Sequence, residues 1–243
     1  MNVDLIPLPA QARCGQLADH GCAVFDVLRA TTTITAALAA GVGEIHLFDS
    51  LDAAREAAAH YPSPRLLCGE RDCLAPPGFE LGNSPGQFCS DHRGATLFMC
   101  TTNGTRALLA AREASLILPA ALVNAAAVAD ALARHGRDVV LLCAGTNGQV
   151  ADEDLFGAGA VIEELSRRAN VLELTEPARS AWTLFREGDA IEVLRKSRGG
   201  RNVLAAGLDA DIQFSARLNA FDVVGVASGA SGDPLIIRPY TPF

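Results

Sequence analysis

The sequence predicts an α/β protein of three layers, α/β/α, built on a mostly parallel sheet. Two observations carry that expectation. Short apolar runs of strand length alternate with alanine-rich helical stretches along most of the chain. One design also recurs at Asp26, Cys100 and Cys143, where an apolar strand ends in a small polar loop and a helix follows. In open α/β sheets such loops gather at the carboxyl ends of the strands, where ligands bind.

Taken in order, Val3 to Leu8 reads as a first strand and Cys22 to Leu28 as a buried second one. Asp26-Val-Leu-Arg-Ala-Thr-Thr-Thr33 then places an acid and a base at the strand end. Three threonines that can cap through their hydroxyls come before an alanine-rich helix from Ile34 to Ala40, stopped by Gly41. Glu44 to Phe48 is a strand, Ser50 caps a helix running to His60, and Arg65 to Cys68 is a strand again. Gly69 to Pro85 is rich in glycine and proline and reads as a long ordered loop anchored by Phe79 and Leu81. Thr96 to Cys100 is a strand, and helix formers resume from Ala107. A strand near Ala114 to Leu118, a helix from Asn124 to His135 and a strand from Asp138 to Cys143 follow, and Val150 to Gly159 then leads into a helix to about Arg168. From Glu176 to Arg217 the pattern is helical with breaks at Gly188 and Gly199-Gly200, and Phe221 to Val226 with Pro234 to Arg238 suggests a closing hairpin. No low-complexity linker divides the chain, so residues 1–243 read as one unit. Two intimate lobes are the alternative, with no readable boundary.

The 243 residues are 49% hydrophobic and 20% charged, ample for a buried core. A net charge of −8 argues against nucleic acid or an anionic membrane as partner. No apolar stretch is long enough to span a bilayer and no signal segment opens the chain, so the expected location is the cytoplasm. Seven cysteines without framework spacing suggest reduced, mostly buried thiols. A homo-oligomer is compatible with the sequence, which does not specify one.

The chemistry concentrates in the loops. Thr101-Thr-Asn-Gly-Thr-Arg106 offers backbone N–H groups, hydroxyls and a guanidinium to an anion, phosphate above all. The same stretch spells Cys100-x5-Arg106, the spacing of cysteine-dependent phosphatases. Against a thiolate stand Met99 and Ala107, where such enzymes usually carry histidine and a hydroxyl residue. Asp26 with Arg29 is either a local ion pair at a helix start or a carboxylate for metal beside a guanidinium for phosphate. Glu70, flanked by Gly69, has the same character. Asn83-Ser84-Pro85 is either a helix cap or a substrate contact. Asp154, with Glu153 beside it, offers an oxygen ligand, or else complements a helix dipole. No Cys/His cluster has zinc spacing, so hard oxygen ligands point to magnesium if a metal is present. The usual nucleotide-binding loops are absent.

Six motifs stand in register: Asp26-Val-Leu-Arg-Ala-Thr-Thr-Thr, Cys68-Gly-Glu-Arg, Gly82-Asn-Ser-Pro, Thr101-Thr-Asn-Gly-Thr, Cys143-Ala-Gly and Glu153-Asp-Leu-x-Gly-Ala-Gly. Together, over roughly residues 20 to 215, they resemble the 2-phosphosulfolactate phosphatase family, the ComB-like proteins. The sequence departs from that pattern near Val224-Gly225, which lacks a proline, and fits it loosely at Ser197 to Arg201. The resemblance implies an unusual α/β/α fold and a magnesium-dependent phosphomonoesterase. Such an enzyme releases phosphate from 2-phospho-3-sulfolactate, or a similar phosphorylated hydroxy acid, to give 3-sulfolactate, a step on a route to coenzyme M.

On that reading Asp26, Glu70 and Asp154 hold or orient Mg²⁺, and Asp26, Glu70 and Arg29 carry the catalysis. Arg71, Asn83, Ser84, Thr101, Thr102, Asn103, Gly104, Thr105 and Arg106 contact the substrate and its phosphate. Asp26 is alternatively a covalent nucleophile. The competing readings are a cysteine phosphatase using Cys100 and Arg106, and a non-catalytic binder of an organic anion.

Overall fold

The structure, a computed structural model, describes residues 1–62, 64–168, 171–230 and 233–241. Apolar runs with no polar alternation make strands buried on both faces, and the first sheet is built from these. It comprises β1 (Asn2–Ile6), β2 (Gly21–Phe25), β6 (Leu116–Ala120), β7 (Val139–Cys143) and the two-residue β8 (Glu173–Leu174). Their order is β6-β2-β7-β1-β8, and every pairing is parallel. Side chains alternate along β2 and β7. Ala23, Phe25, Leu141 and Cys143 enter one core, and Cys22, Val24, Val140 and Leu142 enter the other.

The first core is closed by α4 (Ala125–His135) and α5 (Asp152–Ser166). Ala181, Leu194, Val203 and Ile212 add to it from α6 (Glu176–Glu187), α7 (Ala190–Lys196), α8 (Arg198–Ala205) and α9 (Asp209–Ser215). On the opposite face lie α1 (Ala30–Ala39) and α3 (Gly104–Ala110), through Ile34, Ala37, Ala107 and Leu108. This is the expected three-layer α/β/α arrangement.

A second sheet backs onto the same inner helices. It contains β3 (Glu44–Leu47), β4 (Arg65–Gly69), β5 (Thr96–Cys100), β9 (Gly225–Ser228) and β10 (Leu235–Pro239), in the order β4-β5-β3-β10-β9. The first three are parallel, and β10 and β9 run antiparallel as a closing hairpin whose first strand begins at Gly225, four residues later than expected. Ile45, Leu47, Leu97 and Met99 face α1 and α3, whereas Leu67 and Phe98 face α2 (Leu51–Ala59), capped as expected by the Ser50 side chain. One helical layer therefore serves two sheets.

Several boundaries differ from expectation. The threonine run lies inside the first turn of α1, where Thr31 and Thr32 donate to the carbonyls of Asp26 and Val27 and do not cap from the N-cap position. The strand expected at Ala114 begins two residues later. Gly199 and Gly200 do not break a helix but open α8. A Cβ at Gly200 would collide with the Leu194 carbonyl and one at Gly199 with the Glu153 carboxylate, so these glycines permit close packing. No helix among the described residues is long and apolar enough to cross a membrane.

Candidate active site

The carboxyl ends of β2 and β7 in one sheet, and of β4 and β5 in the other, face a common cavity of about 550 Å³. Asp26 and Arg29 reach it from the β2–α1 turn, Glu70, Asp72, Cys73 and Asn83 from the loop after β4, Thr102 and Asn103 from the β5–α3 turn, and Thr146 and Asn147 from the loop after β7. The loops are tied to one another. Glu70 donates its backbone N–H to the Cys100 carbonyl at 3.2 Å, and Asn147 donates its own to Asn103 Oδ1 at 3.4 Å. A fifth wall comes from α8, through Gly199, Asn202 and Val203.

Asp26 is buried at the end of β2. Ala30 donates its N–H to Oδ1 at 3.3 Å, and the Gly104 amide also draws the carboxylate down. Burial outweighs both and, with the negative charges of Glu70 and Glu153, pushes Asp26 up to about 7. Glu70 is held by the Cys73 N–H at 3.1 Å, at the tip of a tight turn in which Arg71 and Leu74 exchange backbone bonds.

Asp154 is placed differently from its neighbour. Its oxygens accept the N–H groups of Val27 at 2.8 Å and Gly145 at 2.9 Å, bracing α5 against the ends of β2 and β7. Neither Asp154 nor Glu153 lines the cavity. Burial and the charges of Glu153 and Asp26 hold Asp154 well above the usual carboxylate range. Glu153 is 1% exposed; its Oε1 accepts the Gly199 N–H at 2.9 Å, and its Oε2 has no hydrogen-bond partner among the described residues. Asn83 Oδ1, on the cavity wall, is likewise buried and unpartnered.

Arg29 is 2% exposed and already engaged. Nη1 donates to Ser84 Oγ at 2.9 Å and to Asp211 Oδ2 at 2.5 Å, and Nη2 donates to the Cys73 carbonyl at 2.5 Å. Thr101 and Thr105 are buried and bond each other, so their hydroxyls close the β5–α3 turn. Arg71 and Arg106 are exposed and lie outside the cavity lining. Cys100 is buried on the face of β5 that packs with Phe48, Phe79 and Phe98. Burial and the charges of Asp49 and Glu70 push its thiol up to about 11, against the pull of Arg106.

Of the expected site residues, the structure thus gathers Asp26, Arg29, Glu70, Asn83, Thr102 and Asn103 at the cavity, with Gly104 and Ser84 just behind them. Sequence reading had no signal for Asp211, whose partner lies 182 residues earlier in the chain, nor for Asn202 on a helix with no loop motif.

The fold is that of a two-sheet α/β protein with an acidic, amide-lined cavity on its strand-end rim. Comparison with known proteins makes the class specific. The chain matches the family described as 2-phosphosulpholactate phosphatase over residues 7–229, and it belongs to that family. It is 38% identical to a probable 2-phosphosulfolactate phosphatase of Carboxydothermus hydrogenoformans over 92% of both chains. It is 41% identical to one of Gloeobacter violaceus over 82% of this chain and 84% of the relative. With one of Thermotoga petrophila it shares 33% identity over 91% and 93%.

Proposed function

We propose that this protein is a phosphoric monoester hydrolase that converts 2-phospho-3-sulfolactate, or a closely similar phosphorylated hydroxy acid, to 3-sulfolactate and phosphate with Mg²⁺ as cofactor. Family membership supports the reaction. One observation supports the metal: among the described residues the cavity sets Asp26, Glu70 and Asp72 against one lining guanidinium, Arg29, which is already paired with Asp211. A substrate carrying phosphate, carboxylate and sulfonate would meet a net negative wall, and a hard divalent cation reconciles the two.

The donor set fits such an ion. Among the described residues no three His, Cys, Asp or Glu groups form a preassembled cluster. Mg²⁺ commonly relies on one or two carboxylates together with substrate phosphate and water. Asp26 and Glu70 would supply the carboxylates, and the unpartnered Oε2 of Glu153 makes it a better third donor than Asp154, whose oxygens are taken by amides. When bound, Mg²⁺ offsets phosphate charge and helps activate water or the leaving oxygen.

The chain's own groups do the rest. Arg29 has N–H groups left over for phosphoryl oxygens, and Asn83, Thr102 and Asn103 present amides and a hydroxyl to the ester. Arg71 and Arg106, exposed and outside the cavity lining, are given no role. The seven cysteines, all unpaired, accord with a cytoplasmic enzyme.

The test is phosphate release from 2-phospho-3-sulfolactate beside phosphorylated hydroxy acids lacking the sulfonate. The expected preference is at least about tenfold in kcat/KM. Thermal stabilisation by these compounds without phosphate release from any of them would make the protein an organic-anion binder instead.

A further inference from the structure

We propose that Asp211, far along the chain on α9, is a positioning residue for the phosphate-facing edge of Arg29. This rests on the phosphatase reading above and adds a residue that none of the strand-end motifs contains.

An arginine side chain has five N–H groups in one plane. Arg29 spends both Nη1 donors on Ser84 Oγ and Asp211 Oδ2 and one Nη2 donor on the Cys73 carbonyl. Nε–H and the remaining Nη2–H have no acceptor among the described residues, and Arg29 lines the cavity. Asp211 Oδ2 also accepts the Ser84 hydroxyl at 2.8 Å, so one carboxylate oxygen fixes both the guanidinium and the serine beside it. Asp211 is itself buried, in the first turn of α9, a helix that packs against the turn opened by Ser84-Pro85.

Three anchors, two on the loop after β4 and one on α9, therefore set the guanidinium plane before substrate arrives. A flexible arginine would bind an anion without directing its donors at the transferring oxygens. A fixed one stabilises charge as it develops, which appears in kcat more than in ground-state affinity. Removing the Asp211 charge frees the plane and leaves Arg29 a less neutralised cation, so anion affinity is retained.

The experiment compares wild type, Asp211→Asn, Arg29→Lys and the double variant by steady-state phosphate release with saturating Mg²⁺, with inhibition by inorganic phosphate and Tm measured alongside. Asp211→Asn is expected to lower kcat by on the order of 10- to 100-fold, with KM and the phosphate inhibition constant within about threefold of wild type. Adding it to Arg29→Lys is expected to lower kcat no further, since Asp211 acts through Arg29. Full kcat in Asp211→Asn, a loss that adds to that of Arg29→Lys, or a rise in KM with a large fall in Tm overturns the proposal. Should Asp211→Asn not fold, Ser84→Ala removes the other Nη1 acceptor and the same kcat-only loss is expected, with an unchanged kcat overturning it. An inactive wild type overturns the phosphatase reading itself, and this inference with it.

Discussion

Gly104 stands hard against Asp26: a Cβ built on the glycine would lie 2.7 Å from Asp26 Oδ2 and would collide with the Cβ of Ala30. Gly104 opens α3 after β5 of the second sheet, and Asp26 follows β2 of the first, so the missing side chain is what lets the two loops meet. Gly104→Ala is expected to cost about 1–3 kcal/mol of stability by overpacking. It is also expected to cut kcat/KM by at least about 100-fold by displacing the carboxylate. Denaturant unfolding and phosphate release measure the two effects. A fully active variant would show that this approach has no part in catalysis.

That contact also marks what was legible in the sequence. The strand–loop–helix recurrence at Asp26, Cys100 and Cys143 signalled a shared rim, because apolar strands ending in small polar residues leave little choice of local structure. Their division between two sheets was not legible, since β3, β4 and β5 are locally no different from strands of the first sheet. Gly199 and Gly200 read as helix breakers because glycine usually is one, whereas here contacts with Glu153 and Leu194 leave no room for a side chain. Arg71 and Arg106 sit in the right motifs, but side-chain direction takes them to solvent. Asp211 reaches Arg29 only through tertiary packing.

The pH dependence of the metal-free protein follows from Asp26. Its folded value of about 7 lies above its ordinary 3.8, so the protonated form is favoured in the fold. The resulting stabilisation is complete below the ordinary value and is lost as pH rises to about 7. Asp26→Asn is therefore expected to raise Tm at pH 8 by roughly 2–8 °C and to leave it nearly unchanged at pH 4. Mg²⁺ should stabilise wild type more at pH 8 than at pH 6, because protons compete for the same carboxylates. Scanning calorimetry of both proteins with and without Mg²⁺ reads these shifts, and an equal effect of the substitution at both pH values contradicts the assignment.

Glu153 and Asp154 are adjacent but should fail differently. Asp154→Asn turns an N–H toward the Val27 or Gly145 amide and is expected to cost about 2–4 kcal/mol of stability. Glu153→Gln retains an acceptor for Gly199 and should leave Tm nearly unchanged while weakening Mg²⁺ binding by at least about tenfold. Calorimetric Mg²⁺ titration beside thermal unfolding separates them. The opposite ranking would return the metal to Asp154.

On the proposed function, carboxylates at the strand ends carry the reaction through Mg²⁺, and Cys100 takes no part. A thiol pushed up to about 11 and packed among Phe48, Phe79 and Phe98 is a poor nucleophile at neutral pH. The most direct test is phosphate release from 2-phospho-3-sulfolactate after EDTA treatment and again after Mg²⁺ is restored, in wild type and in Cys100→Ala. Activity should vanish with EDTA and return with Mg²⁺ in both proteins, with Cys100→Ala within about threefold of wild type. Activity that survives EDTA in wild type and is absent from a folded Cys100→Ala would contradict the account.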